Sequence, residues 1–276
     1  MASAVNLAGV VVVTGAGSGI GRATALRFAG LGARVHVADI SMGAAEAVAE
    51  QIGTKARAHH VDVTDAEAVK ALADAVFAES GAVDVLHNNA GVGHAGPVEE
   101  IPLSDWRRVV EINLMGVIHG ICAFVPRMLA QGRPSHIVNT ASALGLMPGI
   151  DLAPYATTKH AVVGLSESLH AELGRRGIGV TALCPGIIST AIVGEATMRG
   201  EIANTKQGTV DFYATRGASP DVVADAVVTA IRKRRPVQPV PASHVYPNWI
   251  ASRISPRAGI AAARLTYRAL RRQTGK

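Results

Sequence analysis

The chain has 276 residues, 49% of them apolar and 17% charged, which is enough to bury a large core without disulfides or metal. Residues 232–276 hold 11 of the 27 Lys and Arg and none of the 21 Asp and Glu, leaving 16 basic against 21 acidic residues before them. A body of about −5 carrying a tail of about +11 argues against nucleic-acid binding as the main function.

Short β-branched runs alternate with longer Ala-rich segments of helical period. Val10–Gly15 reads as a fully apolar strand, followed by a helix ending at Gly30 or Gly32. Residues 33–40 form a strand, 43–53 a helix, 55–65 a strand and turn, and 66–81 an amphipathic helix. Residues 83–91 form a strand with a turn, and Asp105 to Leu129 a long helix. A strand over 135–142, a helix from Tyr155 to about Arg176 and a strand over 179–186 follow. A short helix from Asp221 to Arg232 and a weak strand, Val237–Val240, complete the series. Strands apolar throughout, each followed by a helix, predict an α/β fold: one doubly wound, Rossmann-like parallel sheet of about seven strands with helices on both faces. The reading is one domain over 1–240, with 189–218 as a mobile substrate loop, and a partly helical basic tail over 241–276.

Thr14 to Gly21, TGAGSGIG, follows the first strand and opens the first helix. There a dinucleotide fold sets its pyrophosphate against exposed N–H groups at a helix N-terminus. A strict G-x-G-x-x-G fails because Ile20 stands where its last glycine belongs; G-x-x-x-G-x-G fits through Gly15, Gly19 and Gly21, with Ser18 and Ile20 between them. Asp39, followed by Ile40, ends the second strand, where a carboxylate accepts from the adenosine ribose hydroxyls and repels a 2′-phosphate. No Arg or Lys lies within the glycine loop or directly after Asp39, so NAD is the expected cofactor rather than NADP.

Thr14 to Gly21, Asn88 to Gly91 (NNAG), Ser142, Tyr155 and Lys159 (YATTK) and Pro185 with Gly186 occur in the order and approximate spacing of a known set. The chain resembles the short-chain dehydrogenase/reductase family, single-domain branch, over about residues 8–240. The resemblance implies an adenine contact by Asp62 with Val63 beside it, and passage of Asn89, Ala90 and Gly91 close to the adenosine ribose. It implies that Asn113 holds a water in a proton relay, Ser142 binds the substrate oxygen, Tyr155 transfers the proton and Lys159 holds the nicotinamide ribose. Pro185, Gly186 and Ile188 would line the nicotinamide and Thr190 would bond its carboxamide. A homodimer or homotetramer, joined through the helices at 105–129 and 155–176, is likewise implied by the resemblance alone.

Part of this chemistry stands on the residues themselves. Tyr155 and Lys159 at i and i+4 share a helix face, and a nearby ammonium favours the phenolate of a group whose free pKa is about 10. Ser142, leaving the carboxyl end of a strand, can polarise the same substrate oxygen. Asn113 is unfavourable inside a helix, which fits either a site role or a helix bend. His94 fits either a substrate contact or a solvated loop. His59, His60, His87 and His160 read as structural, Asp151 as exposed, and no cluster has metal-ligand spacing. Cys122 and Cys184 read as small buried apolar residues of a reducing compartment.

Leu144, Met147 and Ile187 head a set of mostly apolar candidates for the substrate pocket, with no evident Arg to meet a carboxylate or phosphate. The expected reaction is therefore the NAD-dependent interconversion of an apolar secondary alcohol and its ketone. The alternatives are an NADP-dependent carbonyl reductase of the same fold and a non-catalytic, NAD-sensing or membrane-peripheral protein. The basic tail fits a solvated helix, peripheral contact with an anionic membrane, or a cover over a neighbouring subunit or the substrate mouth. No leader segment and no uninterrupted apolar run of about 18 residues is evident, so a cytoplasmic location is expected.

Overall fold

The computed structural model describes residues 4–274. Its centre is a parallel sheet built from β1 (Val10–Thr14), β2 (Arg34–Asp39), β3 (Ala56–His60), β4 (Val85–Asn88), β6 (Ser135–Thr140), β7 (Ile178–Pro185) and β9 (Val237–Val240). The strand order is β3-β2-β1-β4-β6-β7-β9. The order reverses between β1 and β4, and the crevice at the carboxyl ends of those two strands is where such sheets bind ligands. This is the predicted doubly wound, Rossmann-like fold.

The all-valine start of β1 has a direct physical cause. Val11 and Val13, with Val35 and Val37 of β2, face Phe28 of α1 (Gly19–Gly30), Val48 of α2 (Met42–Ile52) and Val227 and Ile231 of α9 (Pro220–Lys233). Val12, with Leu86, Ile137 and Val180, faces the opposite layer: Leu72 and Val76 of α3 (Ala66–Ser80), Phe124 and Met128 of α5 (Gly116–Ala130) and Leu173 of α6 (Ala153–Leu173). Both faces are covered, so Val10 to Val13 are apolar in succession. Each such side chain contributes about 1.5–3 kcal/mol by leaving water. Local signals set the ends. Asp65 accepts from the N–H groups of Glu67 and Ala68 to start α3, and Gly81 at φ 72° closes it.

Three regions carry detail that the spacing alone does not give. The long helix starts as α4 (Leu103–Val110), widens to a π-helical turn at Glu111–Met115 and resumes as α5. By length and composition Leu103–Ala130 is apolar enough to cross a membrane, but Val109, Phe124 and Met128 are buried within the fold. The outward side of α5 leaves Cys122 exposed, against the expected burial; Cys184, in β7, is buried.

The segment 189–218 is folded into α7 (Ile192–Glu195), β8 (Thr197–Met198), a 3-10 segment (Gly200–Thr205) and α8 (Lys206–Arg216). β8 pairs in parallel with a two-residue strand absent from the prediction, β5 (His94–Ala95). The tail is helical over α10 (Ala242–Ile254) and α11 (Pro256–Thr274), and α11 packs across α8.

Candidate active site

One cavity of about 920 Å³ runs from the β1–α1 loop to α11. Every predicted site residue lines it except Gly21 and Asn113, which sit just behind its wall.

The β1–α1 loop shows why its glycines are needed. Gly15 at φ 60° and Gly19 at φ 52° adopt the left-handed region. A Cβ on Gly15 would lie 2.8 Å from Ala90 Cα, and one on Gly21 only 2.1 Å from the Gly15 carbonyl oxygen. Gly17, outside the predicted triplet, is equally constrained: its N–H donates to Asp39 Oδ2 at 2.8 Å, and a Cβ there would press on Ala44 and Asp39. Asp39 Oδ1 accepts from Ser41 N at 2.9 Å. The acid expected to select the cofactor thus also ties the phosphate loop to the second strand. No acidic residue occupies the first turn of α1, so its positive end is left for an anion. Backbone, glycines and charge here fit a dinucleotide pyrophosphate.

Across the sheet reversal, Asn89 braces the loop. Its Nδ2 donates to the carbonyls of Thr14 and Gly15, both at 3.1 Å, while Thr14 Oγ1 accepts from the N–H groups of Asn89 and Ala90. Thr140 Oγ1 donates to Asn89 Oδ1 at 3.2 Å and lies 2.8 Å from His87 Nε2. With the hydroxyl proton committed to Asn89, the imidazole is the donor to Thr140. Burial pushes the His87 pKa down to about 3, so the ring is neutral and serves as a hydrogen-bonding brace, as expected. Asp62, on the cavity wall, caps its own turn by accepting from Thr64 N and Oγ1.

At the chemical end, Ser142 leaves β6 in extended conformation and Tyr155 and Lys159 project from the first turns of α6. Lys159 is buried, its Nζ donating to the Thr140 carbonyl at 2.9 Å and lying 5.6 Å from the Tyr155 ring centroid. Burial lowers its pKa to about 8. Burial also drives the Tyr155 phenol up to about 12, with the facing Ser142 side chain working in the opposite direction. The expected lowering of the phenol by Lys159 is not what sets this value. The ammonium lies over the ring and is turned toward Thr140, so desolvation dominates.

Asn113 lies within the π-helical turn, fully buried. Its Oδ1 accepts from Val92 N at 2.8 Å and its Nδ2 donates to Val92 O at 3.0 Å and Thr158 Oγ1 at 3.4 Å. The side chain therefore fixes the Gly91–Val92 backbone beside Lys159. π-turns of this kind recur at functional sites.

The substrate side corrects three expectations. His94 is buried, not solvated: its Nε2 lies 3.0 Å from Asp105 Oδ2, and Arg199 grips the same carboxylate at 2.8 and 3.1 Å. Arg199 above all, then His94, holds the Asp105 pKa down at about 2. Asp151 accepts from Tyr267 Oη at 2.5 Å and so joins its loop to α11. The wall also contains Arg108, from α4, and Arg271, where no Arg was expected; α11 brings Arg271 there together with Tyr267 and Leu270. Leu144, Met147 and Ile187 line it as predicted. Among the described residues no group of three His, Cys, Asp or Glu could hold a metal ion.

The comparisons agree with this geometry. Residues 9–199 match the family model for short chain dehydrogenases. A probable oxidoreductase, EphD, of Mycobacterium tuberculosis is 41% identical over 265 residues, covering 93% of this chain and 45% of the relative, so this chain spans about half of that protein's length. The 1-deoxy-11-beta-hydroxypentalenate dehydrogenase of Streptomyces exfoliatus is 42% identical over 206 residues, 72% of this chain and 75% of that one. A short chain dehydrogenase/reductase from Burkholderia phymatum, solved in complex with NAD, superposes with a TM-score of 0.80 at 34% identity, covering 85% of this chain and 89% of its own. With a matching family model over most of its length and a sheet, phosphate loop and Ser–Tyr–Lys arrangement to suit, the chain belongs to the short-chain dehydrogenase/reductase family of oxidoreductases.

Proposed function

We propose that this chain is an NAD-dependent dehydrogenase that interconverts an apolar secondary alcohol and its ketone, with Tyr155 as the acid/base. The observation that carries the reading is the convergence of Ser142, Tyr155 and Lys159 on one cavity whose far end is the Asp39-anchored glycine loop. Bound NAD would supply the hydride acceptor and a positive ring near the phenol. Asp39, Gly15, Gly19 and Thr190 would hold it, and the carboxylate of Asp39 disfavours a 2′-phosphate.

The chain's own groups then manage the proton. Ser142 Oγ orients the substrate oxygen and donates to it as charge develops. With NAD bound, its positive ring would favour the Tyr155 phenolate, which would take up the hydroxyl proton in oxidation; in reduction the phenol would return it. Lys159, buried and fixed by Thr140, keeps a cation over the Tyr155 ring, and Asn113 holds Val92 so that Gly91 can pass close to the lysine. The remaining wall is largely apolar, which supports an apolar substrate. The Burkholderia structure with bound NAD and the hydroxypentalenate dehydrogenase point the same way.

A screen of secondary alcohols with NAD and with NADP, followed by absorbance of the reduced nicotinamide, tests this. Turnover with NAD on apolar alcohols supports it; turnover confined to NADP favours a carbonyl reductase of the same fold.

A further inference from the structure

The segment from Ser189 to Gly217 closes on itself at its base. Ile188 pairs with Ala218, and Ser189 N donates to the Ala218 carbonyl at 2.9 Å. Between those ends the chain gives Ile192, Val193, Met198, Ile202 and Tyr213 to the cavity wall. Its middle meets the body of the protein where β8 pairs with β5, and Arg199 N extends that pairing to the Ala95 carbonyl at 2.9 Å. Two strands of two residues each have little stability of their own in water, so the position of this wall needs a further support.

One side chain ties both strands to a third element: Asp105, in the first turn of α4. Its Oδ2 accepts from His94 Nε2 of β5 at 3.0 Å and from Arg199 Nε, directly after β8, at 2.8 Å; its Oδ1 accepts from Arg199 Nη2 at 3.1 Å. A carboxylate has no proton to give, so His94 carries one on Nε2. The Asp105 side chain is 12% exposed and that of Arg199 45%, and a forked, partly shielded pair of this kind holds its geometry better than an ion pair in open water. The surrounding backbone leaves little slack. A Cβ on Gly93 would lie 3.0 Å from Ala196 Cβ, and one on Gly96 2.8 Å from Arg199 Cβ. Arg199 adjoins Met198 in the chain, so the clasp that fixes one fixes the other.

We propose that Asp105 is a positioning residue that sets the Met198 wall of the substrate cavity and, with it, selectivity for alcohols long enough to reach that wall. Asp105 is itself outside the cavity wall and acts through Arg199 and His94. The selectivity rests on the dehydrogenase reading given above; the clasp does not. A bulky alcohol binds the form in which the wall is in place, so its apparent affinity falls with the fraction of clasped molecules. A small alcohol, held at Ser142 and Tyr155 alone, is indifferent to it.

The test compares Asp105→Asn, Arg199→Gln and the double variant with the parent chain. Trypsin cleavage after Lys206, read by mass spectrometry, should accelerate about tenfold in each, because cleavage follows the population of the opened segment. KM for a bulky secondary alcohol should rise about tenfold, while kcat and KM for a small one stay within about twofold of the parent values. The double variant should match the single ones instead of multiplying their effects, since all three remove one shared interaction. If Asp105→Asn fails to fold, Arg199→Gln, which alters a nearly half-exposed side chain, supplies the same readouts. Unchanged cleavage after Lys206 overturns the clasp. A KM that rises equally for the small and the bulky alcohol, or effects that multiply in the double variant, overturns the positioning role. A parent chain that turns over no secondary alcohol counts against the dehydrogenase reading and the selectivity together, and the trypsin rates then still decide the clasp.

Discussion

Lys159 Nζ donates to the main-chain carbonyl of Thr140 at 2.9 Å, while the hydroxyl of the same threonine links His87 to Asn89. One residue at the end of β6 therefore fixes both the active-site cation and the brace beneath the phosphate loop. Thr140→Val keeps the carbonyl and deletes the hydroxyl, leaving His87 Nε2–H and Asn89 Oδ1 buried without this partner. The expected loss of stability is about 1–3 kcal/mol, measured by urea denaturation. Because Lys159 keeps its acceptor, kcat should fall far less than in Lys159→Ala.

The Asp39 carboxylate accepts from Gly17 N and Ser41 N. Asp39→Ala is expected to lower the ratio of kcat/KM with NAD to that with NADP by about tenfold or more, since hydrogen bonds to a charged group contribute about 1.5–3 kcal/mol. Steady-state kinetics with both cofactors check this, and an unaltered ratio would remove Asp39 from cofactor selection.

His87 and His136 are fully buried, and burial lowers both pKa values to about 3. In the unfolded chain they titrate near 6.5, so between those limits the unfolded state binds more protons and stability rises with pH. Each contributes a slope of about 1.4 kcal/mol per pH unit, with full benefit above about pH 6.5 and progressive loss toward pH 3. Urea midpoints between pH 7 and pH 5 should fall accordingly, and His136→Gln should flatten the slope. A pH-independent midpoint would show that these rings accept protons without unfolding.

Tyr267 on α11 donates to Asp151, which stands at φ 56° in the loop before α6. Tyr267→Phe should release this closure of the mouth. A hydrogen bond of about 1 kcal/mol corresponds to about a fivefold rise in KM for a bulky alcohol, with kcat for a small alcohol unchanged. Equal KM values in the two proteins would show that the contact does not close the mouth.

The parallel sheet and the phosphate loop were legible because their signals are local. Valines covered on both faces cannot be mistaken for a half-exposed strand, and Gly15, Gly19 and Gly21 answer to backbone clashes within the motif. Gly17 was missed because its constraint comes from Asp39 and Ala44, twenty or more residues away. The burial of His94 depends on Asp105 and Arg199, brought together by the β5–β8 pair, and two-residue strands leave no periodicity. The π-helical turn around Asn113 could be sensed only as an ill-suited residue in a helix. The placement of α11 over the mouth is a tertiary choice: its composition reads as a solvated basic helix until Tyr267 and Leu270 are seen against the cavity. Arg271 entered the wall by the same route.

Tyr155 is proposed to move the proton in a cavity that Asp39 and the glycine loop prepare for NAD. The direct measurement is Tyr155→Phe, with NAD affinity determined by calorimetry and turnover of an active secondary alcohol followed by reduced nicotinamide absorbance. NAD binding is expected to stay within about twofold of the parent chain and turnover to fall by about 10²–10⁴-fold. Turnover preserved in Tyr155→Phe would contradict it.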